Sequence, residues 1–437
     1  MTSRAFSPAK PQASREAMKQ VNRALLLQLV KNHGPISRVD LADRSGLSPA
    51  AVTGLVSRLI SDGLLVETER NTASAGAGRR PIPVDVNADS GRLVGVKLAE
   101  RRVTAALTDL RARVLGSVEL PLDDHSPDSA ADAVATAVEW LLEGSPHHRK
   151  LLGIGVGLAG FIDSGAGECV RSPILGWRNV PFAALVERRT RVPVRLDNDV
   201  NALAMAELLF GAGKGLRHFL VVTIGRGVGL GIVVRGDVYR GARGAAGEFG
   251  HTLADPAGPR CDCGNRGCVE ALASDPAIIR SYRRHGGRSR SRSAAEVAAL
   301  ARRADGPAIE SFRSAGTALG AGLANLINLF DPERIILSGE GAAHADLILD
   351  SLRASLHEHT FGGLADRVEL VVEPLGDETW ARGAASLIAE AIFAGPTVSA
   401  HHIAHLAAER RARPAPSPDG VERATGGAQD RPNRRTR

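Results

Sequence analysis

Chemistry concentrates in one short stretch, residues 247–270, which holds Glu248, His251, Cys261, Cys263, Cys268 and Glu270. Three of the chain's four cysteines fall within eight positions, with Gly264 and Gly267 letting the backbone fold tightly enough for the thiolates to converge. His251 is close by as a fourth ligand. Three sulfurs and one imidazole form a tetrahedral set suited to Zn²⁺, and such a closed set leaves no position for water or substrate. The expected metal is therefore structural. The competing reading is a disulfide or three unrelated thiols. It is disfavoured because a Cys-x-Cys pair is too close for an easy bridge, and a chain without an export signal belongs in a reducing compartment. Cys169, far away in sequence, reads as an ordinary small hydrophobe. A metal-bound imidazole donates its second N–H to an acceptor, and a sugar hydroxyl could serve for His251. Glu248 and Glu270 would complete a polar cluster able to grip a polyol.

Glu248-Phe249-Gly250-His251 followed by Cys261-x-Cys263-Gly264-x-x-Gly267-Cys268-x-Glu270 resembles the signature of the ROK family, whose name joins repressors, open reading frames and kinases. The resemblance implies an α/β chain with a two-lobed, actin-like ATPase (sugar kinase-like) fold, preceded in the repressors by a winged helix-turn-helix. It also implies that Asn198 and Asp199, at the start of a helix running through Glu207, occupy the family's sugar-binding Asn-Asp position. In the kinases that Asp takes the proton from the attacking hydroxyl; here Asp199 would accept a hydrogen bond. Taken alone, Asp197 and Asp199 also read as carboxylates favoured by a helix N-terminus.

The same resemblance locates what is missing. The kinases' first hairpin carries an Asp-x-Gly-x-Thr-type loop that holds ATP phosphate and assists Mg²⁺; here the corresponding Lys97-Leu98-Ala99-Glu100-Arg101-Arg102 has neither the Asp nor the glycines. The second loop, 223–229, keeps its glycines but carries Arg226, and Ser338-Gly339-Glu340-Gly341 on the adenosine side adds a negative charge. These two glycine loops read equally as plain tight turns or as a retained phosphate pocket. A catalytic role is not expected.

The elements that must position this chemistry follow an N-terminal module. Residues 1–17 are polar and read as a disordered lead-in. Leu25, Leu26, Leu29 and Val30 recur at helical spacing until Gly34-Pro35; Ser37 caps a second helix ending near Gly46, and Ser48-Pro49 opens a third. Along the third, Val52, Leu55, Val56, Leu59 and Ile60 define a buried face. Ser48, Ala50, Thr53, Ser57 and Arg58 are left to enter a major groove. Two strands, 64–69 and 82–86, form a hairpin whose tip carries Arg79 and Arg80, a wing suited to phosphates or a narrow minor groove. This winged helix-turn-helix spans 18–88, and 89–200 and 201–395 are read as the two lobes, the second carrying the zinc site. Residues 396–437 are read as a disordered basic tail.

Charge agrees with this division. Residues 1–91 carry 12 Lys or Arg against 8 Asp or Glu, and residues 401–437 carry 8 Arg against 4 acids, while the middle holds 35 bases against 36 acids. Basic ends suit nucleic acid, and a neutral middle suits an uncharged effector. The start, 1–20, lacks the apolar core of a signal peptide, and the apolar run 219–234 is interrupted by Arg226 and glycines, so no membrane association and a cytoplasmic location are expected. The expected partners are palindromic double-stranded operator DNA, a small sugar or sugar derivative, and further copies of the chain in a dimer or tetramer.

Overall fold

The computed structural model describes residues 15–68, 82–143, 151–288, 290–375 and 377–394. The wing tip with Arg79 and Arg80 and the expected tail lie outside the described residues.

The N-terminal module consists of helices Arg15–His33, Arg38–Ser45 and Pro49–Ser61, with strands Ile36–Ser37, Leu65–Glu67 and Pro83–Val86 in a three-stranded antiparallel sheet. The first helix starts at Arg15, well before the apolar pattern that signals it; Met18 and Val21 are exposed, so its first turns bury no apolar face that a periodicity could register. Local chemistry fixes the other two. The Ser37 hydroxyl accepts from Asp40 N at 3.1 Å and donates to the Asp40 carboxylate at 2.8 Å, and Gly46 closes that helix in the left-handed region at φ 67°. Ser48 accepts from Ala51 N at 3.3 Å, with Pro49 in the first helical turn where its missing N–H costs nothing.

Residues 92–394 form two lobes built on the same plan. In the first sheet the spatial order is Val194–Asn198, Leu151–Leu158, Arg92–Leu98, Arg102–Thr108, Val114–Pro121. In the second it is Glu369–Pro374, Arg334–Gly339, His218–Ile224, Val228–Val234, Asp237–Val238. Each sheet is an antiparallel three-strand meander whose first strand is then flanked by two parallel strands. The repeat is invisible in the sequence because the third strand has eight residues in one lobe and two in the other. The central strands are buried on both faces and read as continuous apolar runs.

The last helix, Asp377–Ala394, packs back on the first sheet. Glycines make this approach possible: a Cβ on Gly95 or Gly155 would lie 1.8 Å from the carbonyl oxygen of Ala381 or Ala384, respectively. The other side of the same helix meets the N-terminal module. Leu26, Leu27 and Val30 belong to one continuous core with Leu203, Trp380, Ile388 and Phe393, so the first helix, the last helix and helix Asp199–Phe210 are mechanically joined. Stretch 283–293, whose Arg, Ser and Gly content alone would suggest a solvated surface loop, begins inside helix Asp275–Arg284 and buries Ser291, whose carbonyl accepts from Arg283 at 3.2 Å. Among the described residues no helix is long and apolar enough to cross a membrane.

Candidate metal centre and carboxylate cleft

His251, Cys261, Cys263 and Cys268 converge, each offering a ligand atom within 4.8 Å of the others. His251 ends a short 3₁₀ turn, Phe249–His251, and the cysteines sit on a loop closed by Cys261 N donating to Asn265 O at 2.8 Å and Gly264 N donating to Cys261 O at 3.0 Å. Gly267 is obligatory there: its φ is 67°, and an added Cβ would fall 1.6 Å from Asp255 O. Cys261 Sγ lies 3.6 Å from His251 Nδ1, and Cys263 Sγ 3.8 Å from Cys268 Sγ. Tetrahedral zinc, with bonds of ~2.3 Å to sulfur and ~2.0 Å to nitrogen, needs about 3.5 Å for such a nitrogen–sulfur pair and about 3.8 Å for such a sulfur pair. These two pairs have the spacing of a tetrahedral zinc site, and the donor set suits that ion. Burial, reinforced by the Cys263 and Cys261 thiols alongside, pushes Cys268 up to about 12, and burial raises Cys261 as well, so these two sulfurs resist ionising unless a cation compensates them. Cys169 is buried in the first lobe, where burial raises its thiol to about 11, as expected of a core residue.

The structure brings the carboxylates to this centre. His251 Nε2 is 3.9 Å from Glu248 Oε2, and His251 Nδ1 is 4.0 Å from Glu270 Oε1. Glu270 Oε2 accepts from Val228 N at 3.1 Å, tying the metal loop to the second glycine loop. Burial holds the Glu248 carboxyl above its ordinary range; His251 opposes this, while Glu270 and Asp199 add to it. Asp199 is the first residue of helix Asp199–Phe210 and its backbone is held by Asn198, whose side chain accepts from Val200 N at 2.8 Å and Asn201 N at 3.3 Å. Asn198 Nδ2 donates to Gly160 O at 3.1 Å, so this side chain also serves as a helix cap. Asp197 turns away: Arg240 Nε donates to it at 2.7 Å and Asn201 Nδ2 at 3.1 Å.

The Lys97 ammonium pairs with the Asp199 carboxylate. The same nitrogen lies 4.1 Å from the centroid of the Trp380 ring, and Trp380 Nε1 donates to Glu340 Oε1 at 3.0 Å. Between the 97–102 hairpin and the 223–229 loop, Arg226 Nη1 donates to Glu100 Oε2 at 2.8 Å. Beside Gly341, the cavity lined by Ile224, Asp275, Phe312, Leu319 and His344 has a volume of about 10 Å³. Lys97 and Asp199 are 102 positions apart, and nothing in either sequence neighbourhood announces their pairing.

In the N-terminal module, Val52, Val56 and Leu59 are buried, while Ala50, Thr53, Gly54, Ser57 and Arg58 are all exposed on the opposite face of helix Pro49–Ser61. Ser48 is exposed but is engaged as the helix cap, and the Thr53 hydroxyl donates to Pro49 O at 2.8 Å.

Residues 93–391 match the sequence profile of the ROK family, and residues 22–66 that of the winged helix-turn-helix DNA-binding family. The chain belongs to the ROK family. It is 30% identical over 379 residues to the xylose repressor of Bacillus spizizenii, covering 86% of this chain and 97% of that protein. It is likewise 30% identical over 388 residues to the DNA-binding transcriptional dual regulator NagC of Escherichia coli, covering 87% and 95%. Among solved structures, a ROK family transcriptional regulator described as a homologue of the E. coli MLC protein aligns with a TM-score of 0.77 at 28% identity, covering 88% of this chain and 99% of that one. A ROK family glucokinase from Streptomyces griseus, solved with glucose and AMPPNP, aligns with a TM-score of 0.61 at 31% identity, covering 68% and 99%. The kinase match thus lacks a counterpart for about a third of this chain, whereas the regulator match extends further.

Proposed function

We propose that this ROK family protein is a sugar-responsive transcriptional regulator, a repressor acting in the cytoplasm as a homo-oligomer on a palindromic operator. The observation that carries this reading is the exposed small-residue face of Pro49–Ser61 on the same chain as the Asp199, Glu248, His251 and Glu270 cluster, with a shared core between them. Ser48, Ala50, Thr53, Ser57 and Arg58, with Arg79 and Arg80 from the wing, are the proposed DNA contacts. Asn198, Asp199, Glu248, His251 and Glu270 are the proposed sugar ligands. Zn²⁺ held by His251, Cys261, Cys263 and Cys268 would fix the loop that presents Glu248 and His251, supplying rigidity and no reaction. Sugar bound preferentially in one arrangement of the lobes shifts the population towards it, and the continuous core carries that shift to the first helix.

The rival reading is an ATP-dependent sugar kinase with a fused DNA-binding domain, which the retained Asp199 and the glucokinase likeness favour. Three features weigh against it. Lys97 puts a cation where a metal ligand is required and ties up the carboxylate that would serve as base. Arg226 and Glu100 bridge the space that phosphates would occupy, and about 10 Å³ beside Gly341 accepts roughly one water rather than a purine. ADP release measured across a panel of hexoses, pentoses and amino sugars separates the two readings. The regulator gives none above background with at least one sugar bound, whereas turnover of about 1–100 per second establishes the kinase.

A further inference from the structure

Where the N-terminal module meets the lobes there is a second cavity, of about 250 Å³, lined by Lys31, Arg111, Lys214 and Arg382 and by apolar Val86, Leu209, Phe210 and Phe393. No residue of the metal centre or of the carboxylate cleft contributes to it. Its lining comes from every part that must move together: the first helix, the last wing strand, a hairpin turn of the first lobe, the end of helix Asp199–Phe210 and the last helix. Four of the eight lining side chains are cations and none is an acid.

The acids nearby offset this charge only in part, Glu390 attracting Lys31 and Glu207 attracting Arg382 without an ion pair to either. Asp85 takes Arg111 in an ion pair, and Glu207 directs an oxygen to Ala212 N at 2.7 Å. Among the described residues, Lys31, Lys214 and Arg382 form no side-chain ion pair or hydrogen bond, and Arg382 Nε is buried without a partner. Burial, with Lys214 adding to it and Glu390 partly offsetting, lowers the Lys31 ammonium to about 8, the mark of a poorly solvated cation with a second one alongside. Lys31 and Arg382 are half-buried while Lys214 and Arg111 are exposed at the rim, and half-buried like charges are costly unless something neutralises them.

We propose that this junction cavity binds a small phosphate monoester, its dianion held by Lys31, Lys214 and Arg382 and its carbon skeleton against Leu209, Phe210 and Phe393. Three converging cations suit a dianion. A cavity of about 250 Å³ takes a small molecule rather than a macromolecular segment. The chain's own C-terminal segment is the wrong occupant, since residues 401–437 carry 8 Arg against 4 acids. Because the lining spans the N-terminal module and both lobes, occupancy couples to the module's orientation and makes operator affinity sensitive to a phosphorylated metabolite independently of the cleft.

The test is isothermal titration of the full chain at fixed ionic strength with inorganic phosphate, glucose 6-phosphate, glycerol 3-phosphate and the matching unphosphorylated sugars. It is run on wild type and on Lys31→Met, Lys214→Gln and Arg382→Gln. One phosphate ester should bind at one site per chain, and each substitution should weaken it at least tenfold. Lys31→Met should also raise the melting temperature without ligand while abolishing the ester-induced rise, which distinguishes loss of the site from loss of the fold. Equal binding by the substituted chains, or competition by an unphosphorylated sugar, overturns the assignment. So does the absence of binding by any of the phosphate esters to the wild-type chain. The titration contains no DNA, so failure of the regulator reading leaves its outcome unaffected.

Discussion

Replacing Lys97 by Met keeps the aliphatic stem and removes the charge that faces Asp199. The two side chains are only 14% and 10% exposed, so the surviving carboxylate loses its counter-ion in a poorly solvated place. Breaking a fully buried pair costs ~3–5 kcal/mol, and the contact with the Trp380 ring adds ~0.5–1 kcal/mol. Asp199 retains its bond from Val200 N at 3.0 Å and some solvent, so the expected cost is at the lower end, about 3 kcal/mol. Asp199→Asn alone leaves the Lys97 charge uncompensated, whereas the double variant leaves neither charge stranded. Urea unfolding of the four proteins should therefore give a coupling of at least ~1.5 kcal/mol, the double variant being more stable than the sum of the single losses. Trp380 reports locally, because loss of the ammonium 4.1 Å from its ring changes its emission. A Lys97→Met cost below ~1 kcal/mol, or additivity within ~0.5 kcal/mol, would refute the pairing and with it the main physical objection to kinase chemistry.

Other consequences are as direct. Purified protein should carry about one equivalent of zinc, and Cys263→Ser should lower it and abolish the sugar response before DNA binding; less than about half an equivalent in the wild type counts against the metal. Gly155→Ala forces a methyl group onto the Ala384 carbonyl and should cost ~3 kcal/mol or more in thermal unfolding, with a cost under ~1 kcal/mol meaning that the last helix does not pack there. Arg58→Ala should weaken operator binding by ~1–3 kcal/mol at fixed salt without changing the melting temperature. Burial, aided by Glu373, raises the Glu207 carboxyl above its ordinary 4.5, so the native state holds a proton that the unfolded chain releases. Stability from this group is complete below pH 4.5 and declines as pH rises through the raised value; Glu207→Gln should flatten that decline, and parallel wild-type and variant profiles would rule it out.

The legible parts of the chain were those whose signals are local. Ser37, Gly46, Ser48 and Pro49 punctuate the N-terminal helices within a turn of the residues they cap, and the six chemical residues of 247–270 lie within one loop and a helix start. What stayed hidden depends on contacts across the chain. The pairing of Lys97 with Asp199 and the bridge from Arg226 to Glu100 join segments more than a hundred positions apart, and no periodicity encodes them. Strand Glu369–Pro374 is only partly buried and shows no clean alternation, so it carries little pattern of its own; the parallel strand beside it, Arg334–Gly339, defines it. The cations of the junction cavity are scattered over 31, 111, 214 and 382 and each reads alone as an ordinary surface charge.

The central claim is that a sugar in the cleft controls DNA binding at the other end of a shared core. The direct measurement is binding of an operator fragment at fixed salt, with and without a panel of free sugars. One sugar should change the affinity at least tenfold, a coupling of about 1.4 kcal/mol, and Asp199→Asn should remove the effect while leaving sugar-free binding intact. Operator binding unmoved by every sugar, in a protein that nonetheless binds one of them in the cleft, would contradict the account.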